Sequence, residues 1–304
     1  MKENILITGG TGFIGKKITN LLIQSGYTVS ILSRNNIENT SSISYYKWDV
    51  ENNFIDEKAV LNADYIIHLA GENIADKRWT SARKNQIINS REQSIRLIYE
   101  VLKNNNKKLN AFVTASGIGI YGALNGEDIC SESTTPATDF LGTTCQKWEA
   151  AADTISSLKI RTVKIRTGLV LGKNEGFLKK MIPIFKYGLG SALGSGKQYM
   201  PWIHIDDLCA IYLKVIQDVS TNGPYNAAVS DTTTNATFSK TLAKIYGYSI
   251  WLPNVPSFII KIALGEMSDI ITKGRRVLSE KIEKTGFEFK YKDLETALRN
   301  CLDK

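Results

Sequence analysis

Short apolar runs alternate with helical stripes through the first half of this chain. Ile5, Leu6 and Ile7 form an unbroken apolar run that ends at Thr8. Beyond a glycine-rich turn, Ile14, Ile18, Leu21 and Leu22 recur at i, i+4, i+7 and i+8, which is one face of a helix. Gly26 stops that helix, and Val29 to Leu32 begins a second strand. Tyr45 to Trp48 predicts a short third strand closed by Asp49-Val50, and Tyr65 to Leu69 a buried fourth. Residues 78 to 104 hold a long helix, with Ile87, Ile88, Arg91, Ile95, Ile98 and Leu102 at helical spacing. Ala111 to Ala115 predicts a strand closing on Ser116. Asp139 to Leu158 predicts a helix capped by Thr138 or Asp139, and Arg161 to Arg166 a strand leading into Thr167-Gly168. Strand and helix alternate over about 170 residues, which predicts an α/β fold with a doubly wound parallel sheet.

The pattern loosens after Gly168. Residues 172 to 196 hold a helix, a Gly188-Leu189-Gly190 turn and a second glycine cluster. Residues 201 to 208 read Pro-Trp-Ile-His-Ile-Asp-Asp-Leu, and a helix follows to Val219. Tyr225-Asn226 sits on a short strand, and helices follow around 238–246, 257–264 and 294–302. The expected organisation is a nucleotide-binding domain over residues 1–168, completed by parts of 197–228. A smaller C-terminal substrate lobe takes residues 169–196 and 229–304. Without repeats or linkers, the two are expected to be packed rather than tethered, with the glycines of 188–196 able to close a cleft.

The turn after the first strand carries the chemistry. Gly9, Gly10, Gly12 and Gly15 lie between an apolar strand and a helix, the context of a dinucleotide-binding (Rossmann) unit. One early glycine permits the tight turn, Gly12 lets backbone approach a pyrophosphate, and Gly15 lets the helix lie close on the strand. The phosphates would sit at the helix N-terminus. A tight structural turn without a ligand is the competing reading. The second strand ends in Ser33-Arg34, and no acid occurs between Thr28 and Ile37. A carboxylate there would hold a ribose 2′-hydroxyl, whereas a guanidinium holds a 2′-phosphate. Lys16 and Lys17 add positive charge. The expected cofactor is therefore NADP rather than NAD.

Composition narrows the rest. The 304 residues are 43% hydrophobic and 22% charged, ordinary for a globular protein. No apolar stretch reaches the roughly 18 residues of a membrane span, and the N-terminus lacks a basic signal region, so no membrane association and a cytoplasmic location are expected. The net charge of +8 comes from dispersed residues with no aromatic-interleaved basic stripe, which argues against nucleic acid as a partner and for a small-molecule substrate. Cys130, Cys145, Cys209 and Cys301 are far apart and read as reduced thiols. With only His68 and His204, no metal site is expected.

These residues together resemble the extended short-chain dehydrogenase/reductase superfamily. The resemblance rests on Gly9-x-x-Gly12-x-x-Gly15, Asp49, Leu69-Ala70-Gly71, Ser116 with Tyr121-Gly122, and the block from Trp202 to Asp207. Further blocks are similar to its atypical "epimerase family" subgroup, some members of which carry the label cell-division inhibitor. They are Gly71 to Ala75, Arg78-Trp79-Thr80, Ser90-Arg91, Asp139-Phe140-Leu141, Trp148 to Ala151, Gly188 to Gly190, Gly194 to Gly196 and Leu264 to Met267. The resemblance implies cofactor contacts from Gly9, Thr11, Gly12, Phe13, Ile14 and Gly15 on the turn, and from Ser33 and Arg34 after the second strand. It adds Asp49, Leu69, Ala70 and Gly71, with Gln86 and Arg91 on the long helix. Arg91 reaches a phosphate on one reading and forms a surface salt bridge on the other.

One departure bears on catalysis. Aligned on Glu149, the superfamily's Tyr-x-x-x-Lys pair falls on Leu141 and Cys145, which have no comparable proton chemistry. Leu141, Cys145, Trp148, Ala152 and Ile155 read instead as a packing stripe. The catalytic candidates that remain are Ser116, where the superfamily bonds a substrate carbonyl, and Tyr121 as a substitute acid, with a packed turn tyrosine as the alternative. Cys145 is a reactive thiol only if a cation lies near it. Glu72 is either a substrate contact or a loop carboxylate, and His204 and Asp206 read as structural. The function expected is an NADP-binding oxidoreductase or epimerase-like protein acting on a small carbonyl or sugar-like substrate. The alternative is a sensor or scaffold that holds NADPH without turning it over.

Overall fold

The computed structural model describes residues 2–173 and 175–304. Its strands are β1 (Asn4–Thr8), β2 (Thr28–Ser33), β3 (Ile43–Asp49), β4 (Phe54–Ile55), β5 (Tyr65–His68), β6 (Ala111–Gly117), β7 (Asn125–Cys130), β8 (Thr162–Thr167), β9 (Leu169–Leu171), β10 (Trp202–His204), β11 (Gly223–Ala227) and β12 (Gly274–Val277). The helices are α1 (Phe13–Gln24), α2 (Glu57–Leu61), α3 (Ser81–Asn104), α4 (Phe140–Ser157), α5 (Gly176–Lys186), α6 (Ile205–Gln217), α7 (Asn235–Ile245), α8 (Ser257–Leu264), α9 (Asp269–Thr272), α10 (Glu280–Glu283) and α11 (Leu294–Leu302).

The main sheet runs β11-β8-β6-β5-β1-β2-β3-β4, with every pairing parallel except the short β3–β4 edge. β1 is central, and its three apolar residues divide between two cores because side chains alternate across a strand. Ile5 and Ile7 pack with Ile18 and Leu22 of α1, Leu208 and Tyr212 of α6, and Phe238 and Leu298 of α7 and α11. Leu6 faces the other way, with Ile95 and Ile98 of α3 and Trp148 and Ile155 of α4. Residues from both ends of the chain thus share one core. Asp207 strengthens this by accepting from Lys290 N and Tyr291 N at 2.8 and 3.0 Å.

Local chemistry sets several boundaries. α3 begins at Ser81, within the expected 78–104 and ahead of Ile87, the first position of its apolar stripe, because the Thr80 hydroxyl accepts from Arg83 N at 3.1 Å. Asp139, not Thr138, caps α4 through Gly142 N at 2.8 Å. Two small parallel pairs, β7 with β12 and β9 with β10, are absent from the apolar pattern. β7 is nearly all exposed and has no alternation to read.

At the C-terminal end of β5, His68 is fully buried between Ser94 and Thr114, with Nε2 2.8 Å from the Ser94 hydroxyl and Nδ1 3.3 Å from that of Thr114. Burial first, and then the charge of Arg91, push its pKa down to about 3 from the ordinary 6.5. The native state therefore holds His68 neutral, while the unfolded chain takes up a proton below pH 6.5. This contribution to stability is present above pH 6.5 and is lost as pH falls toward 3. Between pH 7.5 and 5.5 urea unfolding should lose about 1 kcal/mol on this account. His68→Gln should flatten that slope, and a slope unchanged by the substitution would rule the assignment out.

Candidate functional site

Strand order reverses between β1 and β5, and in such sheets the crevice beyond the strand ends at that point is where ligands bind. Thr8 closes its base. Its hydroxyl oxygen accepts from Leu69 N and Ala70 N, each at 3.1 Å, so the two loops are tied together. Gly9 has φ +71° and turns the chain, and Gly12 N donates back to Gly9 O at 3.0 Å. At Gly15 a Cβ would overlap the Gly9 carbonyl oxygen, so only glycine lets α1 lie this close. At Gly12 a Cβ would meet only Gly9 O, at 3.3 Å, and otherwise open space. Gly12 is the N-cap of α1, with no side-chain cap and no acid in the first turn. Bare N–H groups, a positive helix end and room for an anion fit the pyrophosphate of a dinucleotide.

Arg34 extends from the end of β2 with its side chain 75% exposed. Ser33 is buried, and its hydroxyl accepts from Asn35 N at 3.1 Å, shaping the turn that presents Arg34. The Lys47 ammonium bonds the Arg34 carbonyl. Glu72, on the loop after β5, has one carboxylate oxygen 2.8 Å from the buried Arg83 guanidinium and the other 3.6 Å from Arg34. The Arg83 hydrogen bond holds the Glu72 carboxyl below the usual range. Arg83 also donates to Asn73 O at 2.7 Å and to Gln86 Oε1 at 3.3 Å, which draws the exposed Gln86 toward this corner.

Two expected cofactor contacts, Asp49 and Arg91, and the nearby cation Lys17 have partners within the protein. Lys17 pairs with Asp206 at 2.9 Å, so its charge is committed there. Asp49 accepts from Glu51 N and Asn52 N at 3.1 and 3.2 Å and caps its own turn. Arg91 is buried and, among the described residues, forms no salt bridge. It donates to Glu72 O at 3.1 Å and Ile87 O at 2.8 Å, and its guanidinium lies 4.7 Å from the centre of the Trp148 ring. A Cβ at Gly71 would sit 3.1 Å from the Arg91 Cζ, so Arg91 braces the Gly71-Glu72 turn from the protein side.

At the C-terminal ends of β6 and β8 lies a buried ion pair that the sequence reading did not single out. Arg166 on β8 meets Glu149 on α4 through two hydrogen bonds, Nε to Oε1 at 2.8 Å and Nη2 to Oε2 at 2.9 Å. Burial lowers the affinity of Arg166 for its proton, but the Glu149 bonds outweigh it and the net shift is upward. Ser116, buried at the end of β6, donates its hydroxyl hydrogen to Glu149 Oε1 at 2.8 Å. Its oxygen is left to accept from a ligand, so the expectation that Ser116 donates to a carbonyl does not hold in this arrangement. Tyr121 is also buried. Its hydroxyl donates to Asn226 Oδ1 at 2.6 Å and accepts from Arg166 Nη1 at 3.1 Å. Burial pushes its pKa up to about 12. A phenol so enclosed cannot serve as the substitute acid, and Tyr121 is corrected to a packing and bridging residue.

Cys145 stands where the Lys of the catalytic pair was sought. It is buried, and burial followed by the Glu149 charge pushes its thiol up to about 12, so it is inert. Cys145 and the half-buried Leu141 pack against Gly117 and Gly119. His204 caps α6 by accepting from Asp206 N at 3.1 Å and lies against the Tyr291 ring. The glycines of 188–196 do not form a free lid. Gly194 N donates to Val255 O at 2.8 Å, Leu193 N to Asn235 Oδ1 at 2.7 Å, and Gln198 holds Leu193 O at 2.9 Å. The loop before α3 and the first turn of α3 are instead tied to the C-terminal segment, through Arg78 to Ile262 O at 2.6 Å and Lys84 to Glu266. Among the described residues no cluster of three or more His, Cys, Asp or Glu could hold a metal, and no helix is long and apolar enough to cross a membrane.

Comparison with known proteins agrees with this layout. The family model described as "NAD dependent epimerase/dehydratase family" matches residues 5–228, and a domain of unknown function matches 255–301. Epimerase family protein YfhF of Bacillus subtilis (strain 168) is 36% identical, with 98% of each chain covered. The crystal structure of human epimerase family protein SDR39U1 (isoform 2) with NADPH superposes with a TM-score of 0.87 at 28% identity, covering 99% of each chain. A nucleoside-diphosphate sugar epimerase from Corynebacterium glutamicum gives a TM-score of 0.79 at 27% identity, covering 99% of this chain and 58% of that one.

The buried pair makes a direct prediction. Arg166→Met leaves the buried Glu149 side chain without its guanidinium partner, and should cost about 3–5 kcal/mol in urea unfolding. The double variant Arg166→Met/Glu149→Leu should recover most of that loss. Tyr121→Phe should cost about 1–2 kcal/mol, because Asn226 and Arg166 lose a partner. A double variant as unstable as the single one would refute the pairing argument.

Proposed function

We propose, from the premise that this chain belongs to the NAD dependent epimerase/dehydratase family, that it is an NADPH-binding oxidoreductase or epimerase-like protein acting on a small carbonyl or sugar-like substrate. The observation that carries the cofactor choice is the exposed Arg34 guanidinium at the end of β2, on a turn with no acid of its own. A guanidinium there matches a 2′-phosphate in charge and shape. The SDR39U1 structure was solved with NADPH, which supports the same choice.

The chain's own residues then have defined tasks. The turn from Gly9 to Gly15 holds the pyrophosphate against the N-terminus of α1, and Arg34 holds the adenosine end. The cofactor supplies hydride chemistry when bound. Ser116, with its hydrogen fixed on Glu149, accepts from a substrate hydroxyl and orients it. The Glu149–Arg166 pair keeps Ser116 in that state, because both carboxylate oxygens are held by the guanidinium. With Leu141 and Cys145 in place of a Tyr–Lys pair, the proton that accompanies hydride transfer comes from water or from the substrate's own groups.

Calorimetric titration of NADPH and NADH tests the cofactor reading. Wild type should bind NADPH more tightly, and Arg34→Ala should erase the preference. Tighter binding of NADH to wild type would overturn it. A panel of small carbonyl and sugar substrates, followed by loss of NADPH absorbance, tests turnover. NADPH bound but never oxidised across the panel would sink the oxidoreductase half of the proposal.

A further inference from the structure

Arg34 is read above as a 2′-phosphate ligand because its own turn carries no acid. The fold nonetheless brings one to it. Glu72 comes from the loop after β5, and its carboxylate lies between two guanidinium groups, 2.8 Å from Arg83 and 3.6 Å from Arg34. The two cations differ in kind. Arg83 is buried and also bonded to Asn73 O and Gln86, so it is a fixed anchor. Arg34 is largely exposed, and Glu72 is its ion-pair partner. Arg91 and Ser90 fix the Glu72 backbone from below, by Arg91 donating to Glu72 O and Glu72 N donating to the Ser90 hydroxyl at 3.0 Å. The carboxylate is therefore held in place on its protein side and faces Arg34 on its solvent side.

We propose that Glu72 sets the dinucleotide preference of this cleft by competing with a 2′-phosphate for Arg34. This rests on the reading of the cleft as a dinucleotide site. A 2′-phosphate that takes Arg34 must displace the Glu72 contact and then lie close to a carboxylate that Arg83 keeps ionised. An unphosphorylated ribose meets the opposite situation, because its 2′-hydroxyl donates to that carboxylate. The corner thus carries both halves of the usual choice: the acid that favours NADH, from the β5 loop, and the base that favours NADPH, from β2. Glu72 narrows the NADPH preference that Arg34 alone would give.

The test is the ratio of the NADH to the NADPH dissociation constant, measured by calorimetry without substrate. Glu72→Gln keeps a side chain that accepts from Arg83 and removes the charge. It should raise the ratio about tenfold, the size of one like-charge contact at a partly solvated site. Arg34→Ala should bring the wild-type ratio to about one or below. Unfolding midpoints without ligand establish that each variant is folded. If Glu72→Gln does not fold, Glu72→Asp, which draws the carboxylate back from Arg34, should move the ratio the same way by about threefold. A ratio that stays within about twofold of wild type in the folded Glu72 variant, while Arg34→Ala collapses it, overturns this proposal and leaves the NADPH reading standing. A wild type that binds neither dinucleotide, or a ratio indifferent to Arg34→Ala, overturns the NADPH reading and this proposal with it.

Discussion

Two opposite charges, Arg166 and Glu149, are taken out of water together at the centre of this protein. Neither is tolerable there alone, so the elements that carry them must arrive in register. Arg166 comes from β8, Glu149 from α4, and the pair reaches outward to Ser116 on β6, Tyr121 after it and Asn226 on β11. The carbonyl of Glu132 accepts from Arg166 as well, at 3.0 Å. One ion pair thus ties β6, β8 and α4 together and joins the sheet edge at β11 to them through Tyr121 and Asn226. A second pair lies one helical turn along α4, where Asp153 meets Lys164 at 2.6 Å. The polar face of β8 and the acidic positions of α4 match in spacing, Lys164 and Arg166 two apart on the strand and Glu149 and Asp153 four apart on the helix.

That arrangement explains what replaces the missing Tyr–Lys pair. The superfamily's proton machinery needs a phenol and an ammonium facing the cleft. Here Leu141 and Cys145 close that position with apolar contact against Gly117 and Gly119, and the nearby polar groups bond one another. The Ser116 hydrogen goes to Glu149 and the Tyr121 hydrogen to Asn226. The cofactor side is built on the opposite plan. Gly12 leaves open space at an uncapped helix end, and Arg34 remains exposed. The molecule combines an open, uncapped helix end and an exposed Arg34 with a buried cluster around Glu149 and Arg166 whose hydroxyl hydrogens are already bonded internally.

Much of the architecture was legible from the amino-acid sequence. Ile5 to Ile7, the stripe from Ile14 to Leu22, the strand at Tyr65 and the helix after Asp139 all follow from apolar spacing, which records which face of an element is buried. The glycines of the first turn were equally readable, because a missing Cβ has local steric meaning: Gly15 against the Gly9 carbonyl is a contact six residues apart. The NADP reading of Arg34 used the same local logic and was incomplete for that reason. The acid beside Arg34 is Glu72, and nothing within ten residues of Arg34 announces it.

The residues misread in the sequence have partners far along the chain. Tyr121 was a candidate acid until Asn226, 105 residues away, accepted its hydrogen. Arg91 was read as a phosphate contact or a surface salt bridge, and its guanidinium lies on Trp148, 57 positions along the chain. Sequence by itself determined the periodic elements and the glycine turn, because each depends on neighbours within one or two turns of chain, and the parallel sheet followed from the alternation of those elements along the chain. Tertiary structure alone decided which polar groups are spent and which stay available. A side chain's chemistry is set by the charges and donors within hydrogen-bond reach, and folding draws those from anywhere in the chain.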